Sequence, residues 1–515
     1  MVLATAFAGS GIIGLGRYAP ERCIDLAARG GRNAAPLITG LTMHTLPTII
    51  QGGMGAGVSD WCLARAVSSR GQLGVVSGTA LDVILARRLQ MGDPGGHLRR
   101  GLDHFPVRAI ADRIWQRYYV AGGKAQTQPF TPPPPHTKDA APELVELCVA
   151  ANFVEVFLAR EGHRHPVGIN YLEKIQVPHL PSIYGAMLAG VDYVLMGAGI
   201  PVRIPGVIEQ LVRHDPVTYP LAVVGAKDGD DTALAFDPRT VVNADLSRLK
   251  RPAFLAIVSS HVLAATLLKR SNGQVDGFVV EGPTAGGHNA PPRGKLQLNE
   301  AGEPVYGERD AVDLEKMRGI GRPFWLAGGY ARPGGLAAAR AAGAAGVQIG
   351  TAFAFCEESG LRADYKHTVL AQVQSGTARV FTDPLASPTS FPFKVVQLTG
   401  TMSDPAEYEA RARVCDLGYL REAYRTDDGT VDFRCAAEPA SAYLAKGGVA
   451  EDMRGRKCIC NALMANIGLG QVRGRGVEPG MVTSGDDLSG VTRFMPPGDT
   501  RYAAADVITR ILEEA

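Results

Sequence analysis

Charge of one sign is missing from this chain. Its 53 Lys and Arg nearly cancel 51 Asp and Glu, leaving a formal charge of +2 over 515 residues. Nothing in that balance suggests a nucleic acid or an acidic membrane as partner. Long apolar runs are missing too: none reaches the ~18 residues that a membrane span needs. Cysteine is scarce, eight in all, too few for a disulfide scaffold, so a reducing, cytoplasmic setting is expected. The opening stretch VLATAFAGSGIIGLG has no basic residue before Arg17. It therefore reads as part of the folded protein and not as a signal peptide.

Glycine, by contrast, is abundant, at 62 residues against an average near ~7%. Many glycines end short apolar runs. Eight such runs occur: PTIIQGG, QLGVVSG, PVGINYL, VDYVLMGAG, AFLAIVSS, DGFVVEG, PFWLAGG and GVQIGTAF. Counted from Thr48 to Leu73, Val167 to Tyr193, Phe254 to Phe278 and Phe324 to Val347, four spacings lie between 23 and 26 residues. That is about the smallest repeat that holds a strand, a turn and a helix. Helical patterns fall between the runs, in CLARAVSSRG, SIYGAMLAG, HVLAATLLKR and the alanine-rich GGLAAARAAG. Fully apolar strands alternating with helices predict a parallel sheet covered on its outer face. Eight units in a row predict an α/β fold closed as a (β/α)8 TIM barrel.

The expected organisation is an N-terminal arm over 1–44, a barrel over 45–375 and a mainly helical C-terminal subdomain over 376–515. Inserts are expected at about 100–142, 200–250 and 290–316. The first contains the proline-rich AGGKAQTQPFTPPPPHTKD, which favours an extended surface connection. The last contains KLQLNEAGEPVYGERD, whose alternation around a turn predicts a hairpin after the sixth strand, a candidate cover for the site.

Function in such a barrel gathers at the C-terminal ends of the strands. Glycine there lets backbone approach a flat or charged ligand without a Cβ in the way. AGGYARPGG and QIGTAF, at the seventh and eighth strands, lie where such barrels bind phosphate through backbone N–H groups and a helix N-terminus. The sequence EGPTAGGHNAPPRG (281–294) places His288 at the sixth. With an ordinary pKa near ~6.5, a histidine there can take or give a proton at neutral pH.

Together QGGMG (51–55), GIN (168–170), EGPTAGGH (281–288), LAGGY (326–330) and GVQIGTAF (346–353) resemble the FMN-dependent nitronate monooxygenases, formerly 2-nitropropane dioxygenases. FMN-dependent enoyl reductases share that fold. The resemblance implies FMN as cofactor, with Gly53 and Met54 against the isoalloxazine and Asn170 on its pyrimidine edge. It implies Gly286 and Gly287 close to the ligand, and Gly287, Gly328, Gly329, Gly350 and Thr351 around the phosphate. Gln348 would lie near the ring or ribityl chain, and His288 would be the catalytic residue. Oxidation of alkyl nitronates or nitroalkanes with O2 is the leading implied activity. Length and segments such as GINYLEKIQ and YGAMLAGVDYVLMGAGIP look closer to larger members. These are the stand-alone enoyl reductases of polyunsaturated-fatty-acid and polyketide synthases, which use NAD(P)H and act on acyl-carrier thioesters. The partners then expected are a small-molecule substrate, a second copy of the chain, or an acyl carrier or synthase. A non-catalytic partner subunit is the third reading.

Two other signals carry less. Gly9–Gly14 fits a dinucleotide fingerprint, but no convincing helix or acidic residue completes the unit. Cys415, Cys435, Cys458 and Cys460 could ligate zinc or an iron–sulfur cluster, yet their spacing favours small buried hydrophobes. Cys458, near an expected helix start, would have a lowered pKa.

Overall fold

The computed structural model describes residues 46–242, 247–474 and 476–515. The N-terminal arm, and with it Gly9–Gly14, lies outside the described residues. Eight strands follow the eight runs: β1 Ile49–Gln51, β2 Gly74–Ser77, β3 Val167–Leu172, β4 Tyr193–Gly197, β5 Ala253–Val258, β6 Gly277–Glu281, β7 Phe324–Ala327 and β8 Gly346–Ile349. Seven parallel pairings join neighbours in the order β1, β8, β7, β6, β5, β4, β3, β2. A parallel bridge between Ile50 and Leu73 completes the ring. There Gln51 N donates to Leu73 O at 2.9 Å and Leu73 N to Ile49 O at 3.0 Å.

The two-residue period of a strand sorts the side chains. Ile50, Val75, Leu195, Leu255, Val279 and Trp325 form a separate apolar cluster that fills the lumen. Their neighbours Ile49, Val76, Val194, Phe254, Phe278 and Phe324 join the larger cluster under the helices. Both faces of every strand are thus buried, which is why the runs read as continuously apolar. On the same period Asn170, Glu281 and Gln348 share the lumen face with Val279 and its equivalents, but one layer nearer the C-terminal mouth. The helical patterns form Trp61–Ser68, His179–Leu188, His261–Arg270 and Gly335–Ala341.

The first insert holds helices His97–Asp103 and Arg108–Tyr118, then runs without regular structure to the 19-residue helix Pro142–Arg160. The second holds an antiparallel pair, Val217–Pro220 with Ala233–Phe236. The hairpin of the third closes through a Leu298–Pro304 bridge. Beyond residue 375 antiparallel ladders precede the helices Ile459–Asn466 and Ala504–Glu513. These ladders, Val380–Asp383 with Phe393–Val396 and Glu422–Arg425 with Val431–Arg434, are strands that the mainly helical expectation omits. Phe393, Ile459, Ile467 and Val507 of this extension share one apolar cluster with the outer face of the barrel. Among the described residues no helix is long and apolar enough to cross a membrane.

Candidate active site

One cavity opens at the C-terminal mouth, with about 1680 Å3 of empty space including its entrance. Gly53, Met54, Asn170, Gly286, Gly287, His288, Gly328, Gly329, Gln348, Gly350 and Thr351 all line it. Five separate stretches of sequence are therefore brought to one cavity by the closure of the barrel.

The glycines have different reasons. A Cβ at Gly53 would lie 2.4 Å from Cβ of Asn170 and 3.3 Å from Val75 Cγ1, so only glycine lets the loop after β1 cross β3. Gly328 (φ +90°) and Gly329 (φ +77°) turn sharply off β7 in the left-handed region, where side chains are strained. Gly286 differs: its missing Cβ makes room for the backbone of Ser484 and Gly485, each 2.8 Å from that position. Its tight packing is against the extension. The helix expected behind QIGTAF is a single turn, Thr351–Ala354. Anion binding there would rest on individual backbone N–H groups, without a long helix dipole.

His288 sits where the loop after β6 pairs with the extension, in an antiparallel bridge to Phe393. Its ring meets the Phe393 ring edge-on at 4.7 Å between centroids. Nε2 lies 2.7 Å from Ser387 Oγ, which leaves Nδ1 for a ligand. Burial pushes the His288 pKa down to about 4. At neutral pH the imidazole is uncharged, a good hydrogen-bond partner and a weak base.

The sequence reading missed Glu281, the last residue of β6 and part of the cavity wall. Burial alone raises its carboxyl to about 7. Its inward position was legible from the strand period, but its pKa was not. Asp487, also in the wall, is raised by burial as well, against a hydrogen bond with Thr351 that lowers it.

The cover was misplaced. No residue of 290–316 lines the cavity, whereas Tyr419, Leu420, Ile459, Cys460, Leu463 and Met464 of the extension do. The hairpin lies against the extension instead, where Glu303 Oε1 accepts from Thr382 N at 2.8 Å. Deleting residues 296–308 should therefore change flavin binding and turnover by less than about twofold, as for surface changes generally; steady-state kinetics of the deletion variant would check this.

Cys435 and Cys458 are buried, and Cys415 and Cys460 partly so. Among the described residues no group of three or more His, Cys, Asp or Glu is gathered to hold a metal. Cys458 does precede a helix, but burial raises its pKa, against the lowered value expected. The lowered thiol is Cys415, through its hydrogen bond with Cys435.

The donor set fits FMN. The side-chain oxygens of Asn170 and Gln348 are buried at the mouth without a hydrogen-bond partner, as expected of acceptors awaiting ligand N–H groups. Gly328 lets β7 turn tightly against the loop after β6, since a Cβ there would meet Thr284 Oγ1 at 2.7 Å.

Residues 232–382 match the nitronate monooxygenase family. A nitronate monooxygenase of Pseudomonas aeruginosa is 30% identical over 186 residues, 36% of this chain and 50% of that protein. A Rhodococcus jostii (3aS,4S,5R,7aS)-5-hydroxy-7a-methyl-1-oxo-octahydro-1H-indene-4-carboxyl-CoA dehydrogenase is 34% identical over 127 residues, 25% of this chain and 31% of that one. The chain thus spans half or less of the length of these curated relatives. Among solved structures, FabK from Thermotoga maritima is similar at 17% identity, covering 91% of this chain and 92% of that one with a TM-score of 0.45. The chain is thus similar to nitronate monooxygenases over part of its length, and the family match falls on residues 232–382, which carry β5 to β8 and both glycine-rich turns.

Proposed function

We propose that this chain is an FMN-dependent oxidoreductase that reduces α,β-unsaturated acyl thioesters at the expense of NAD(P)H. The observation that carries the flavin is the gathering of all the candidate site residues around one cavity, with two unpartnered amide oxygens among them. Asn170 and Gln348 would hold the ring, Gly53 and Met54 would lie against it, and Gly328, Gly329 and Gly350 would hold the phosphate. When bound, FMN would take hydride from the nicotinamide and supply it to the β-carbon of the substrate.

The chain's own groups favour this substrate. Leu420, Ile459, Leu463 and Met464 give the cavity an apolar side suited to an acyl chain. Uncharged His288 can donate from Nδ1 to the thioester carbonyl while Nε2 accepts from Ser387, stabilising the enolate oxygen as charge develops there. Glu281, half protonated near pH 7, can give a proton to the α-carbon. Turnover should therefore fall as pH rises through about 7. Glu281→Gln should lower the rate and remove that inflection; a pH–rate profile of both proteins would show it, and a retained inflection would assign it elsewhere.

Oxidation of alkyl nitronates is the second reading, favoured by the family match over residues 232–382; for a neutral nitroalkane, the Glu281 carboxylate could take the proton above pH 7. His288, with its pKa near 4, is too weak a base to deprotonate a neutral nitroalkane efficiently. Nitronates arrive deprotonated and need no such base. Anaerobic mixing of the FMN-loaded protein with NADPH, and separately with an alkyl nitronate, tests the two. Bleaching of the visible flavin band by NADPH, with colour restored by an enoyl thioester, supports the reductase. Bleaching by the nitronate alone, with colour restored by air, supports the monooxygenase.

A further inference from the structure

We propose that the segment Thr483–Asp487 of the C-terminal extension forms the far wall of the cofactor's phosphate site, with Asp487 as a proton-carrying contact to a phosphate monoester. The inference rests on the FMN reading and adds to it a loop that lies well beyond the eight barrel units.

The segment is fastened to both loops that bound the phosphate end. Thr483 Oγ1 accepts from Gly287 N at 3.0 Å, Gly485 N donates to Thr351 Oγ1 at 3.1 Å, and Asp486 N donates to Thr284 O at 3.0 Å. The fit leaves no slack, since a Cβ at Gly485 would meet Thr284 O, Thr351 Oγ1 and Asp487 Oδ1, each at 2.9 Å. Thr483, Ser484, Gly485 and Asp487 line the same cavity as Gly328, Gly329 and Gly350. A phosphate entering between the two sets of backbone would meet the Asp487 carboxyl.

An ionised carboxylate would repel that phosphate, and a protonated one would donate to it. Burial holds the carboxyl toward its protonated form. The charged neighbour is Asp486, itself paired with Lys394 Nζ at 2.7 Å. The phenol of Tyr502, raised far above its usual range by burial, is the other titratable group nearby. Binding of FMN would thus take up a proton at Asp487, so its affinity should fall as pH rises, by up to about tenfold per pH unit above the pKa of the free protein.

The test is a fluorescence titration of apo-protein with FMN and with riboflavin, which lacks only the phosphate, at about pH 6.5 and about pH 8.5. Gly485→Ala should weaken FMN at least ~tenfold through overpacking and leave riboflavin within ~threefold. Asp487→Asn, nearly isosteric and unable to ionise, should bind FMN with less pH dependence than wild type and riboflavin as wild type does. Equal loss of both flavins in Gly485→Ala, or a pH dependence untouched in Asp487→Asn, would overturn the inference. Failure of wild type to bind either flavin would instead overturn the FMN reading.

Discussion

Gly53→Ala should cost this protein most of its affinity for flavin. The new Cβ would stand 2.4 Å from Cβ of Asn170, and no rotamer change relieves a contact between two atoms fixed by backbone. The loop after β1 and the strand β3 would have to part. Overpacking of this kind costs about 1–3 kcal/mol, and it falls on the two groups assigned to opposite aspects of the ring. The expected result is a rise of about 10- to 100-fold in the FMN dissociation constant, with circular dichroism showing the barrel retained. The loss should be similar for riboflavin, because the contact lies at the ring end, whereas Gly485→Ala should discriminate between the two flavins. Unchanged affinity would remove the Gly53–Asn170 shoulder from the cofactor site.

His288→Ala should leave flavin binding and reduction by NADPH intact and slow the oxidative half-reaction with an enoyl thioester by about 10²- to 10³-fold, the usual worth of one oxyanion donor. Rapid-mixing absorbance separates the two half-reactions. With its pKa near 4, His288 should add no inflection to the rate profile between neutral and alkaline pH, so the inflection expected near 7 belongs to Glu281. Ser387→Ala should reproduce part of the loss, since Ser387 Oγ, 2.7 Å from Nε2, helps decide which ring nitrogen carries the proton. Full oxidative activity in His288→Ala would leave the ring a structural role between Ser387 and Phe393.

The barrel was legible because its signal is local. Each strand is buried on both faces and each glycine follows its own strand, so a window of some ten residues holds the information. The runs beginning near Thr48, Tyr193 and Phe324 became β1, β4 and β7 with shifts of a residue or so. The motif residues could be placed together for the same reason, since closure puts every strand end on one rim. Glu281 was within reach of the same argument: it stands two residues after Val279, on the lumen face.

The sequence by itself thus determined eight parallel strands, their glycine-rich ends and the rim on which Asn170, His288 and Gln348 meet. Only the tertiary structure decided what covers that rim. Phe393 beside His288 and Gly485 against Thr351 join positions more than a hundred residues apart, and such contacts leave no periodicity in the chain. The role of Gly286 as clearance for Gly485 and the burial of His288 beside Phe393 follow from that fold-back. Burial is a property of what surrounds a group, and here much of what surrounds the site comes from the extension.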